Sequence, residues 1–131
     1  MININKLSVK IFADGADIKS IQSLYKRPYI KGFTTNPTLM RIAGISEYKP
    51  FALKVLQTVP DRPVSFEVFA DNIDEMEKQA HEIASWGKNV NIKIPITNTK
   101  GESTASLVKK LSDNGVVCNI TAIFTLDQVQ S

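Results

Sequence analysis

The sequence predicts an α/β fold of the TIM (β/α)8-barrel type, of which the chain supplies about the first five βα units. Two observations carry this. Five short apolar runs, at residues 9–14, 30–34, 64–69, 90–95 and 116–121, are separated by helix-like segments. Strands that alternate with helices pair in parallel through right-handed crossovers. The runs also carry polar residues at every second place. An open doubly wound sheet packs helices on both faces, so its strands read almost continuously apolar. A barrel keeps one face inward, with chemistry at the carboxyl ends of its strands.

The fourth run shows the alternation best. Val90, Ile92, Ile94 and Ile96 fall on one face, and Asn91, Lys93, Pro95 and Thr97 on the other. In the third, Val64, Phe66 and Val68 oppose Ser65, Glu67 and Phe69. In the fifth, Val116, Cys118, Ile120 and Ala122 oppose Val117, Asn119 and Thr121. One face therefore gathers Glu67, Lys93, Asn119 and Thr121. Asp14 and Asn36 end the first two runs and join the same mouth.

Helical spacing fills the intervals. Ile18, Ile21 and Leu24 follow the first run, and Tyr48, Ala52, Val55, Leu56 and Val59 the second. The third helix is the clearest. Asp71 or Asn72 caps it, acids fill its first turn, its stripe is Ile73, Met76, Ala80, Ile83 and Ala84, and Gly87 ends it. In the fourth, Leu107, Val108 and Leu111 face inward, and Asn114-Gly115 stops the helix. No linker or composition break interrupts residues 1–131, which read as one domain. Thr125-Leu126-Asp127-Gln128 has the pattern of a capping box opening a further helix. Eight βα units need about 250 residues, so the expectation is a barrel truncated at its carboxyl end. The alternative is a homo-oligomer in which chains complete one another.

Composition narrows the class. Of 131 residues, 43% are hydrophobic and 22% charged, as in an ordinary globular domain. No apolar run reaches the ~18 residues of a membrane helix. The opening MININKLSVK has no apolar signal region. Cys118, the single cysteine, excludes an internal disulfide and fits a reducing, cytoplasmic compartment. A net charge of +3, with lysines interleaved among acids, is too weak and dispersed for nucleic-acid binding. It could help to steer phosphorylated substrates. His81 lacks a ligand-spaced partner and reads as a surface or partly buried residue. Cys118 reads as an inert core thiol, and Trp86 as packing.

Lys93 is the residue that asks for chemistry. Lysine inside an apolar strand either snorkels to water, pairs with a carboxylate such as Glu67, or serves as a desolvated amine. Desolvation disfavours the ammonium form and frees the lone pair to attack a carbonyl, giving a Schiff base. The neighbouring residue types suit that use. A carboxylate moves protons, amides bind hydroxyls, and a hydroxyl beside a carboxylate holds a water.

GFTTNPTLM (residues 32–40), NIKIPIT (91–97) and CNITAIF (118–124) resemble three motifs of the transaldolase family, which includes fructose-6-phosphate aldolase-like proteins. SFEVFA (65–70) and IFADGAD (11–17) fall in matching order. TTNP and the lysine motif, about 57 residues apart on the strands that the fold requires, are specific as a pair.

The resemblance implies cofactor-free, metal-free transfer of a dihydroxyacetone unit between sugar phosphates. Lys93 would attack the C2 carbonyl of a ketose phosphate such as fructose 6-phosphate, and Asp14 would act as acid/base at the C4 hydroxyl. Asn36, Asn119 and Thr34 would bind the substrate. Glu67 and Thr121 would hold the water that forms and hydrolyses the imine. An aldose phosphate of the erythrose 4-phosphate class would accept the unit, as in the pentose phosphate pathway. Transaldolases typically carry Glu where this chain has Glu67, and the aldolases Gln. The family's phosphate-binding serine and arginine lie on later strands, so no residue here takes that role. The loop TNTKGES (97–103) departs from the family pattern by an extra residue before Gly101, and Phe33 is bulkier than usual before TTNP.

Overall fold

The computed structural model describes residues 3–131, apart from the Asn5 side chain. Residues 1 and 2, part of the stretch read as lacking a signal region, lie outside the described residues. Five strands form one parallel sheet in the order β1-β2-β3-β4-β5, curled into the first part of a TIM-type barrel. The strands are β1 (Ile11–Asp14), β2 (Ile30–Thr34), β3 (Val64–Glu67), β4 (Val90–Pro95) and β5 (Cys118–Thr121). The second and fourth match the apolar runs end to end; the other three are shorter than their runs.

The alternation in β4 is realised residue by residue. Val90, Ile92, Ile94 and Ile96 are buried, and Asn91, Lys93, Pro95 and Thr97 are half-buried. Ile92 and Ile94 have no exposed surface. They pack with Phe33, Val64, Phe66 and the helices in one core. Fully burying such side chains contributes about 1.5–3 kcal/mol each. Outward isoleucines therefore fix which way the inward residues point, because a slip of one position would reverse every side chain.

The helices follow their stripes. In α1 (Ile18–Tyr25), Asp17 caps the start by accepting from Ser20 N. Helix α3 (Tyr48–Thr58) buries Phe51, Ala52, Val55 and Leu56. Helix α4 (Ile73–Ala84) buries Met76, Ala80 and Ile83. Its cap is Asn72, whose side chain accepts from Asp74 N and Glu75 N; Asp71 is engaged elsewhere. Helix α5 (Ala105–Asp113) buries Leu107 and Leu111, while Val108 is only half-buried. The capping box forms as predicted at the start of α6 (Leu126–Gln130), from Thr125 and Gln128. One helix had no expectation behind it: α2 (Pro37–Ile42), with Pro37 in its first turn. Trp86 packs edge-on against Tyr48 and Phe66. Among the described residues no helix is long and apolar enough to cross a membrane.

On the inner face, β1 and β2 meet through a glycine. Phe12 pairs with Gly32. A Cβ on Gly32 would sit 2.8 Å from the Phe12 ring and 2.9 Å from the Pro63 carbonyl oxygen. The ring could rotate, but the backbone oxygen belongs to the approach to β3. Gly32→Ala is therefore expected to destabilise the fold by about 1–3 kcal/mol. A urea titration followed by circular dichroism measures it, and an unchanged midpoint would remove the packing role given to this glycine.

Candidate functional site

Parallel pairing places side chains of equal register on one face. Glu67 pairs with Lys93, and Lys93 with Asn119. Pro95 pairs with Thr121, one step nearer the carboxyl ends. Asp14 pairs with Thr34, and Thr34 with Ser65. Lys93, Glu67, Asn119 and Thr121 thus share the inner face, where alternation along the chain put them.

Lys93 is enclosed from the side of the preceding strands. Its Nζ donates to the Thr35 carbonyl oxygen at 3.2 Å and lies 3.6 Å from Glu67 Oε2. The lysine side chain is 12% exposed and that of Glu67 23%. The amine is thus largely out of water yet reachable from the mouth. At 3.6 Å the carboxylate can exchange a proton with it after a small movement or through one water.

The amides are held differently. Asn119 Nδ2 donates to Ser65 Oγ at 3.3 Å. Asn36 is extended, as a residue before proline must be. Its Oδ1 accepts from Leu39 N and so caps α2, which leaves Nδ2 as the group it can offer a ligand. Thr34 Oγ1 is buried and has no hydrogen-bond partner among the described residues. Asp14 is exposed at the end of β1, separated from β4 by β2 and β3. Thr121 is half-buried; its carbonyl accepts from Ile96 N at 2.9 Å. Ala122 then turns the chain out of β5 at φ 59°, the left-handed region that alanine enters at a cost of about 1–2 kcal/mol.

The rim over Lys93 is tied down by the loop after β4. Asn98 is buried; its Oδ1 accepts from Lys100 N and Glu102 N, and its Nδ2 donates to the Glu102 carboxylate. Asp71, in the loop after β3, accepts from Thr99 N at 2.8 Å and from Thr99 Oγ1 at 2.6 Å. The sequence marked Asp71 only as a candidate helix cap. Sequence reasoning missed the contacts of Thr35, Ser65, Asp71 and Asn98 in this region.

Elsewhere the expectations for single residues meet their surroundings. His81 is exposed, 3.9 Å from Glu77. Cys118 is half-buried on the helix side of β5, and burial raises its thiol pKa. A groove of about 390 Å³ between α5 and α6 is lined by Val108, Ile120, Ile123 and Val129, on the helix side of the sheet. Among the described residues no three His, Cys, Asp or Glu side chains gather to hold a metal ion.

A sequence model of the Transaldolase/Fructose-6-phosphate aldolase family matches residues 11–131. A probable transaldolase of Dehalococcoides mccartyi is 41% identical over 120 residues, covering 92% of this chain and 54% of that protein. One from Streptococcus agalactiae is 40% identical over 120 residues, covering 92% and 53%. A protein named probable transaldolase 2 from Listeria monocytogenes is 34% identical over 122 residues, covering 92% and 52%. The chain spans about half the length of these relatives.

The Asp71 clasp responds to pH. Hydrogen bonds from the Thr99 hydroxyl and then the Thr99 amide hold the Asp71 carboxyl below the usual carboxylate range. A lowered pKa in the folded state means that the clasp contributes fully above about pH 4, the ordinary Asp value, and is lost as pH falls through the depressed one. Hydrogen exchange at the Thr99 amide, corrected for intrinsic rates, is expected to stay protected down to about pH 4 and lose protection below it. Asp71→Asn should lose that pH dependence. Protection equal in both proteins at pH 6 and at pH 3 would show that the clasp does not hold the loop.

Proposed function

The chain belongs to the transaldolase/fructose-6-phosphate aldolase family, and from that premise we propose that it carries the lysine half of a sugar-phosphate transferase in the cytoplasm. The reaction is transfer of a dihydroxyacetone unit from a ketose phosphate to an aldose phosphate, the chemistry of the non-oxidative pentose phosphate pathway. The observation that supports it best is the placement of Lys93, largely desolvated between the Thr35 carbonyl and the Glu67 carboxylate.

In this reading Lys93 Nζ adds to the C2 carbonyl of fructose 6-phosphate. Loss of water, aided by Glu67 and by a water held at Thr121, gives the imine. Asp14 takes the C4 hydroxyl proton as the C3–C4 bond breaks, and the bond's electrons pass into the imine to give an enamine. Carbons C4–C6 leave as glyceraldehyde 3-phosphate, and erythrose 4-phosphate is the aldehyde that accepts the unit. A second aldose phosphate takes up the enamine carbon, and hydrolysis frees Lys93. Thr34, Asn36 and Asn119 bind the hydroxyls of the three-carbon unit. No metal or cofactor enters these steps. Residues 1–131 act as one domain in this proposal.

Glu67 favours transferase over aldolase. A carboxylate accepts protons, whereas the amide of glutamine does not. The position of Asp14, exposed at the end of β1 with β2 and β3 between it and β4, favours a second reading, a sugar-phosphate binder without turnover.

Borohydride reduction with fructose 6-phosphate is expected to add the reduced sugar unit to the peptide containing Lys93, and Lys93→Ala to abolish it. Glu67→Gln should slow adduct formation by about 100-fold or more, the scale of a lost proton-transfer group. Binding seen by thermal shift with no adduct selects the binder reading. An adduct confined to other lysines would end the Lys93 proposal.

A further inference from the structure

We propose that Ser65 is a positioning residue whose hydroxyl fixes the Asn119 amide beside Lys93. What the amide is used for rests on the lysine reading above; the contact itself rests on geometry.

Ser65 is fully buried, with 0% exposure, in the middle of β3. A buried hydroxyl costs stability unless it is bonded, so its partner matters. That partner is Asn119 Nδ2 at 3.3 Å, 54 residues on. The two strands are not neighbours, because β4 lies between them. Two strand spacings amount to about 9.5 Å in a flat sheet. A serine and an asparagine side chain close that span only on the concave side of a curled sheet. Ser65 pairs with Asn91, and Asn119 pairs with Lys93. The bridge therefore crosses β4 between Asn91 and Lys93, alongside the base of the lysine.

The consequence is directional. An asparagine on a strand has a broad, soft χ2. One Nδ2 hydrogen committed to Ser65 sets the amide plane, and with it the directions in which Oδ1 and the second Nδ2 hydrogen are presented. A residue larger than serine would fill the crossing. Alanine would leave room but no partner. Thr34, which pairs with Ser65 and whose hydroxyl has no hydrogen-bond partner among the described residues, continues the same polar layer toward β2.

The test uses Ser65→Ala, which removes the hydroxyl, and Ser65→Cys, which puts a weak acceptor in its place. The first readout needs no ligand. In 15N-labelled chain, the Asn119 side-chain amide resonances should move and their hydrogen exchange should quicken in both variants. Unchanged resonances would overturn the proposal even if the lysine reading fails. The second readout is borohydride trapping against fructose 6-phosphate concentration. Ser65→Cys should raise the half-saturating concentration about fivefold with the maximal trapping rate little changed. Adding Ser65→Cys to Asn119→Ala should cost nothing further, the signature of two residues acting as one. Additive losses would overturn the positioning role. A wild-type chain that traps no sugar counts against the lysine reading, and the Asn119 resonances still decide the Ser65 contact.

Discussion

The site depends on one constraint, the registered alternation of β4 between its neighbours. Ile92 and Ile94 are driven outward because the helix layer is the place where they leave water completely. That fixes Lys93 inward, between Glu67 on one side and Asn119 on the other. The apolar residues thus aim the polar ones. Two isoleucines with no functional chemistry determine where the amine sits, and a one-residue slip would exchange the core for the site. The same rule operates in β3, where Val64 and Phe66 go outward and Ser65 and Glu67 come inward.

Much of this was legible in the sequence because period-two alternation is local. The runs at 30–34 and 90–95 become β2 and β4 with the same ends. The flanking runs were overestimated, since a strand ends where its neighbour stops pairing, and pairing depends on chain far away. Val116 and Val117 continue the apolar pattern but precede the strand β5. Helix α2 escaped notice because it has six residues and too few turns to show a stripe. Its signal was the Asn-Pro pair that starts it, read instead as a binding motif; Asn36 caps α2 through Oδ1, and its Nδ2 is left for a ligand.

The contacts that were not legible are long-range and polar. Asp71 looks like a helix cap in sequence because it stands beside Asn72 at the head of an acidic turn. Its choice of Thr99, 28 residues on, follows from where the loop after β4 returns, and Asn98 fixes that return. Ser65 was legible as an inward residue, but nothing local distinguishes a serine that meets solvent from one that bridges two strands. Curvature makes that distinction, and curvature is a property of the whole sheet.

The environment of Lys93 is asymmetric. Among the described residues, the two oxygen atoms in contact with its Nζ come from earlier chain, the Thr35 carbonyl beyond β2 and the Glu67 carboxylate of β3. Its backbone is held between β3 and β5, and the core behind it is sealed by Ile92 and Ile94. In this setting the Lys93 side chain is 12% exposed. The side toward β5 carries Asn119 and Thr121, groups suited to hydroxyls and water rather than to charge. The Glu67 carboxylate and the Thr35 carbonyl lie on one side of Lys93, and the Asn119 amide and Thr121 hydroxyl belong to the strand on the other.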